Sequence, residues 1–205
     1  MSLSSFLTNR RVGLVADASV MINLNATARA ADIVKAVPNP FSITENAAAE
    51  LKAGSQKGYR DHEQLLELID AGLIRRAPLS GPGMAVYESL IDGSARQTLD
   101  DGEAATIAYA KEISGIALID ERKARSLCAS QYPGLLVACT VEFLMHDAIA
   151  LAIGVQAQAD ALLSALNGAR MHVPSEHLER LRTMIDPERA ALCSSLPKTA
   201  RAATV

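Results

Sequence analysis

No tryptophan occurs in this chain of 205 residues, and aromatic side chains make up only 3% of it. A protein so poor in aromatics does not hold nucleic acid by stacking successive bases on side-chain platforms. Its core must be aliphatic and alanine-rich, which suits helices packed closely on a sheet. A dominant charge is lacking too: the formal net charge is −3, which excludes a global pull toward phosphate backbones. Contact with nucleic acid therefore needs a local basic patch or bound cations. Cys128, Cys139 and Cys193 are odd in number and scattered, without a CxxC spacing. They read as buried free thiols of a reducing cytoplasm, not as a disulfide frame or zinc site. His62, His146, His172 and His177 show no metal-ligand spacing. A phosphate loop is missing, because no Lys-Ser/Thr follows Gly81-Pro82-Gly83. The first eleven residues lack a signal peptide's apolar core. The most apolar window, Phe143 to Val155, is short, carries His146 and Asp147, and reads as a buried helix rather than a membrane span.

What the chain does have is short apolar runs that end in acid. Val12 to Ala16 reads as a buried strand, and Asp17 follows it directly. Asp17 alone has two readings, a ligand at a strand end or an N-cap for the helix that follows. Val20 to Val37 holds one or two helical stretches, closed by Pro38-Asn39-Pro40. Phe41 to Ile43 is β-like, and Thr44 can cap a helix from Glu45 to Gly54. His62 to Ala71 is helical, and Leu73 to Ala77 makes a short strand before the breakers Pro78 to Gly83. Met84 to Ile91 is helical, interrupted by Asp92-Gly93-Ser94. Leu99 to Gly102 opens a strong helix from Glu103 to Ile113. Gly115 to Ile119 is the clearest second buried strand, and it ends in Asp120-Glu121. A helix from Arg122 to Ala129, a strand from Leu135 to Ala138 and a helix from Val141 to Ile153 capped by Thr140 follow. Two amphipathic helices around Ala159 to Asn167 and Ser175 to Ile185 need an apolar partner, either a groove of the same chain or a second copy. Asp186 to Val205 reads as a frayed tail.

Strands alternating with helices predict a three-layer α/β/α sandwich with a mainly parallel central sheet, plus C-terminal helices. The expected division is a main domain over residues 1–155, a helical extension over 156–185 and a flexible tail over 186–205. Right-handed crossovers put all strand carboxyl ends on one edge. Asp17 and Asp120 meet there, with Glu50 and Glu103 on helices that follow loops near it. Four converging carboxylates repel one another, and a divalent cation such as Mg²⁺ or Mn²⁺ removes the conflict. Such ions activate water and stabilise the leaving oxygen in phosphoryl chemistry. Each acid has a rival reading: Glu45 competes with Glu50, Asp100 and Asp101 compete with Glu103, and Glu121 stands beside Asp120. Arg122, Lys123 and Arg125 are either a phosphate-contacting patch or ordinary exposed helix charges.

Four segments, taken together, resemble PIN-domain proteins, and most closely the branch related to VapC-type toxin ribonucleases. They are Leu14-Val15-Ala16-Asp17-Ala18-Ser19, Ala48-Ala49-Glu50-Leu51-Lys52-Ala53-Gly54, Leu99-Asp100-Asp101-Gly102-Glu103-Ala104 and Ala117-Leu118-Ile119-Asp120-Glu121-Arg122-Lys123-Ala124-Arg125. The resemblance covers about Val12 to Gly154. It implies a Mg²⁺- or Mn²⁺-dependent endoribonuclease acting on RNA, commonly the toxin of a toxin–antitoxin pair and often a homodimer. Asp17, Glu50, Glu103 and Asp120 fall at the family's acidic positions. Asp120-Glu121 departs from a Thr-x-Asp pattern common in the toxins, so either member is the one that faces the metal. Ser19 either hydrogen-bonds a ligand carboxylate or water, or caps the next helix. Two other classes of function fit the same residues: a catalytically weak binding module for nucleic acid or protein, and a metal-dependent phosphatase.

Overall fold

The computed structural model describes Leu7, residues 9–92 and residues 98–197. The expected interruption after Asp92 falls largely outside the described residues. The chain divides into two compact units, Met1–Met21 with Pro38–Cys139, and Ile22–Val37 with Thr140–Val205. This division is not the linear one expected, because residues 22–37 join the C-terminal part.

Five strands pair in the first unit among the described residues: β1 (Leu14–Ala16), β2 (Phe41–Thr44), β3 (Arg75–Ala77), β4 (Ile116–Leu118) and β5 (Leu136–Ala138). All pairings are parallel, in the order β3-β2-β1-β4-β5. Leu14 stands opposite both Phe41 and Ile116, and Ala16 opposite both Ile43 and Leu118. β1 and β4 are buried throughout, as expected of parallel strands covered on both faces. At the edge, β3 exposes Arg75 and Arg76, charges that discourage pairing with another chain. With its helices, this sheet is the α/β/α fold the alternation of elements predicts.

The helices of this part are α3 (Glu45–Ser55), α4 (Asp61–Asp70), α5 (Gly81–Ile91), α6 (Asp101–Glu112) and α7 (Arg122–Gln131); α1 (Ala18–Ala26) begins in the first unit and ends in the second, to which α2 (Ala30–Lys35) belongs. Thr44 caps α3 as its position suggests, accepting from Ala47 N at 3.2 Å. α6 packs across β1, β2 and β4 and is buried at every position from Ala104 to Ala110. Its small alanines let the helix lie close to the strands, which is where the alanine-rich composition is used. Val15, Ala117 and Ile119 meet Leu90, Leu99, Ile107 and Leu127 in an aliphatic core. α5 begins inside the supposed breaker run: Pro82 occupies the first turn, where its missing N–H costs nothing. Glu112 accepts from Ser80 N and Ser80 Oγ just ahead of it.

The second unit also holds α8 (Thr140–Leu144), α9 (Asp147–Ile153), α10 (Val155–Gly168), a 3₁₀ turn (Ser175–His177), α11 (Leu178–Met184) and α12 (Pro187–Ala191). The single helix expected from Val141 to Ile153 is two. His146 Nδ1 accepts from Ala148 N at 3.1 Å and caps α9. The Gln158 amide donates to Leu144 O at 2.8 Å and His146 O at 3.0 Å, carbonyls that the break frees. The window is buried, as expected, at Phe143, Leu144, Met145 and Ile149, but Leu151 is 88% and Val155 71% exposed. The supposed frayed tail contains α12, whose cap Asp186 accepts from Glu188 N. Arg189 pairs with Asp160 at 2.7 Å, and Ser195 Oγ donates to Leu166 O. Polar contacts to distant residues hold this segment, and they leave no periodic trace in the sequence. All three cysteines are free and buried. Among the described residues no single helix is long and apolar enough to cross a membrane.

Ile107 is fully buried between α6 and the sheet. Ile107→Ala should destabilise the protein by about 2–5 kcal/mol, read as a lower urea midpoint with an unchanged slope.

Candidate metal centre

The strand order places the crevice of the sheet. The chain runs from β1 to β2 on one side and later returns to β4 on the other, so connections diverge between β1 and β4. Ligands of open α/β sheets bind outside the carboxyl ends of the strands at such a point. Asp17 follows β1 there and donates its backbone N–H to Leu118 O at 3.1 Å. Asp120 lies two residues beyond that carbonyl and is buried, with 8% exposure.

Asp17 is 4% exposed, and its two oxygens behave differently. Oδ2 accepts from Ser19 Oγ at 2.9 Å and Ser19 N at 3.4 Å, so the capping reading holds for that atom. Oδ1 is buried and has no hydrogen-bond partner among the described residues. Burial pushes the Asp17 pKa upward and the charge of Asp120 adds to this, while Ser19 and the backbone amides of Ala18 and Ser19 oppose it.

Glu50 reaches the same place from α3. Its residue surface is exposed, but its Oε1 accepts from Gly102 N, at the start of α6, at 2.8 Å. The contact requires glycine: a Cβ on residue 102 would stand 2.7 Å from Oε1. Partial enclosure of the carboxyl group raises its pKa, the Gly102 amide lowers it, and Asp17, Asp101 and Asp100 raise it further. Glu103, half-buried in the first turn of α6, is pushed up to about 7. Burial is the main cause, followed by the charges of Asp17, Glu121 and Asp100. Its carboxylate also accepts from the backbone of Asp100, the N-cap of α6, which is half of a capping box.

The rivals separate from these acids by their partners. Glu121 N-caps α7, accepting from Ala124 N at 2.8 Å, and is exposed, whereas its neighbour Asp120 is buried. Asp101 turns to Asn46 Nδ2, 3.1 Å from both of its oxygens, and to the Tyr87 hydroxyl. Asp100 is exposed and makes no side-chain cap bond. Glu45 lines a groove with Lys52, His62 and Arg76. Arg122 is exposed and Arg125 half-buried at the start of α7, and Lys123 reaches Thr98 O. Sequence reasoning missed Gly102, Asn46 and Tyr87. For Gly102 a signal existed, since glycine in a first helical turn between acids has no propensity reason to be there.

The strongest charges acting on Asp17, Glu50 and Glu103 are all negative. Carboxylate oxygens, one of them buried without a partner, are the donor type a hard divalent cation of the Mg²⁺ or Mn²⁺ kind prefers, although among the described residues no three of these acids bring ligand oxygens within 4.8 Å of one another.

Compared with known families, residues 13–186 match the family model DUF3368, described as a PIN domain. No curated protein and no solved structure matches the chain.

The cluster has a measurable consequence for stability. A carboxyl raised from 4.5 to about 7 by folding favours the folded state below its unfolded pKa, and that contribution is lost as pH rises through about 7. In chelator, Glu103→Gln should therefore gain melting temperature relative to the parent protein above pH about 7, and gain little below about 4.5. A constant difference across that window would contradict the assigned environment of Glu103.

Proposed function

Because the chain belongs to the PIN-domain family, we propose that it is a divalent-cation-dependent endoribonuclease in which Asp17, Glu50, Glu103 and Asp120 hold Mg²⁺ or Mn²⁺. PIN domains are nuclease-type folds that use divalent metals, and the substrate proposed for this one is RNA. The observation that carries it is the buried, unpartnered Oδ1 of Asp17 amid like charges. A bound divalent cation supplies Lewis acidity toward a phosphoryl oxygen and makes water easier to deprotonate.

The chain's own groups prepare this chemistry. Ser19 fixes the Asp17 carboxylate through Oδ2 and leaves Oδ1 without a partner, so that it would be free to hold a cation. The Gly102 amide orients Glu50. Glu103, pushed up to about 7 by burial and the charges of Asp17, Glu121 and Asp100, would release its proton on binding a cation. Asp120 rather than Glu121 serves as the fourth ligand, because the Glu121 carboxylate is spent on capping α7. Arg122 and Arg125 contact phosphates of the substrate. The likeness to VapC-type toxins extends the proposal to a cytoplasmic toxin that acts as a homodimer and is silenced by a small antitoxin protein.

Purified protein should cleave RNA with Mg²⁺ or Mn²⁺, and Asp17→Asn should lower cleavage at least about a hundredfold. Calorimetric titration should show Mn²⁺ binding to the parent protein and much weaker binding to Asp17→Asn. Equal cleavage by the variant would refute the assignment. Mn²⁺ binding without RNA cleavage would leave a binding module, and turnover of small phosphate esters alone would favour a phosphatase. Expression of the parent chain, but not of Asp17→Asn, should arrest bacterial growth if it is a toxin.

A further inference from the structure

α3 presents two distinct faces. Asn46 and Glu50 face α6 and the acidic cluster. Glu45, Ala48, Ala49 and Lys52 instead line a groove completed by His62 and Leu66 of α4 and Arg76 of β3. At 3.6 residues per turn, Lys52 lies about 160° around the helix from Glu50, with Ala49 and Ala53 between them. Both alanines are exposed, so this ridge presents only methyl groups to a chain crossing over α3.

The groove carries exposed positive charge. Lys52 and Arg76 are exposed, and neither has an ion-pair or hydrogen-bond partner among the described residues. His62 is half-buried and offers ring nitrogens, and Leu66, 38% exposed, supplies an apolar floor with Ala48. Among the described residues Glu45 is the one acid that lines it. The rim of the cluster, by contrast, is lined by exposed Asp100, Asp101 and Glu121. A polyanion that leaves the cluster across α3 meets the exposed Lys52 and Arg76.

We propose that the groove between α3, α4 and β3 is a secondary docking track for single-stranded RNA, in which Lys52 and Arg76 hold backbone phosphates beyond the cleavage position. This inference rests on the ribonuclease reading for its substrate, and its contacts are independent of base sequence. Exposed cations in a groove suit a phosphate–sugar backbone. Glu45 opposes the track and limits its affinity.

The test is fluorescence anisotropy on the full chain in EDTA, with 5′-labelled single-stranded RNAs of about four and about twelve nucleotides titrated over a range of salt. Lys52→Ala and Arg76→Ala should each weaken binding of the longer RNA about three- to tenfold and reduce the log–log salt slope by about 0.7. The short RNA should bind all variants alike. Glu45→Gln should tighten the longer RNA. Lys52 and Arg76 are exposed, and unchanged melting temperatures will show that the variants fold. In Mn²⁺, the two alanine variants should raise KM for the longer RNA with kcat unchanged. Equal slopes for parent and variants, or stronger capture of an acidic peptide than of RNA by the same residues, would overturn the track. Failure of the ribonuclease reading looks different: the longer RNA binds through Lys52 and Arg76 but is not cut.

Discussion

Repulsion among carboxylates that folding brings to one sheet edge is the constraint on which this structure turns. Asp17, Glu50 and Glu103 each feel other acids as their strongest charged neighbours, and each has its pKa displaced upward. Burial makes the conflict worse, since charge loses solvation as it gains like-charged company. The protein answers with fixed dipoles: the Ser19 hydroxyl on Asp17, the Gly102 amide on Glu50 and the Asp100 amide on Glu103. These donors orient each carboxylate without cancelling its charge. What they leave is a preorganised negative site, an arrangement that a divalent cation relieves.

Backbone geometry sets where this happens. Parallel pairing of β1 with β4 brings the ends of two strands together although they lie a hundred residues apart, and the Asp17 N–H to Leu118 O bond ties those ends. α6 then serves as both core and site. Its alanines press against β1, β2 and β4, while its first turn supplies Gly102 and Glu103. Displacing α6 from the sheet would therefore also move a carboxylate and the amide that orients another. The core and the site share one mechanical element.

The proposed RNA track follows from the same economy on α3. One face joins α6 through Asn46 and Glu50, another lines a groove with unpaired cations, and exposed alanines separate them. In a chain of net charge −3, such local separation of sign lets a polyanion be attracted without a basic surface overall.

Much of this was legible in the linear chain. Short β-branched runs ending in acid located β1 and β4, Thr44 announced its helix, and four acids in order suggested the centre, because these signals depend on neighbours within a few residues. Only the tertiary structure could divide the acids by role. Glu121 became a cap while Asp120 was buried, Asp101 was drawn to Asn46 and Tyr87, and Glu45 fell on the other face of its helix from Glu50. It alone split the helix after Thr140 at His146 and fastened α12 through Arg189 and Ser195. The physical reason is range. Strand and cap propensities act through adjacent backbone, whereas the environment of a carboxylate depends on which distant dipoles and charges folding sets beside it.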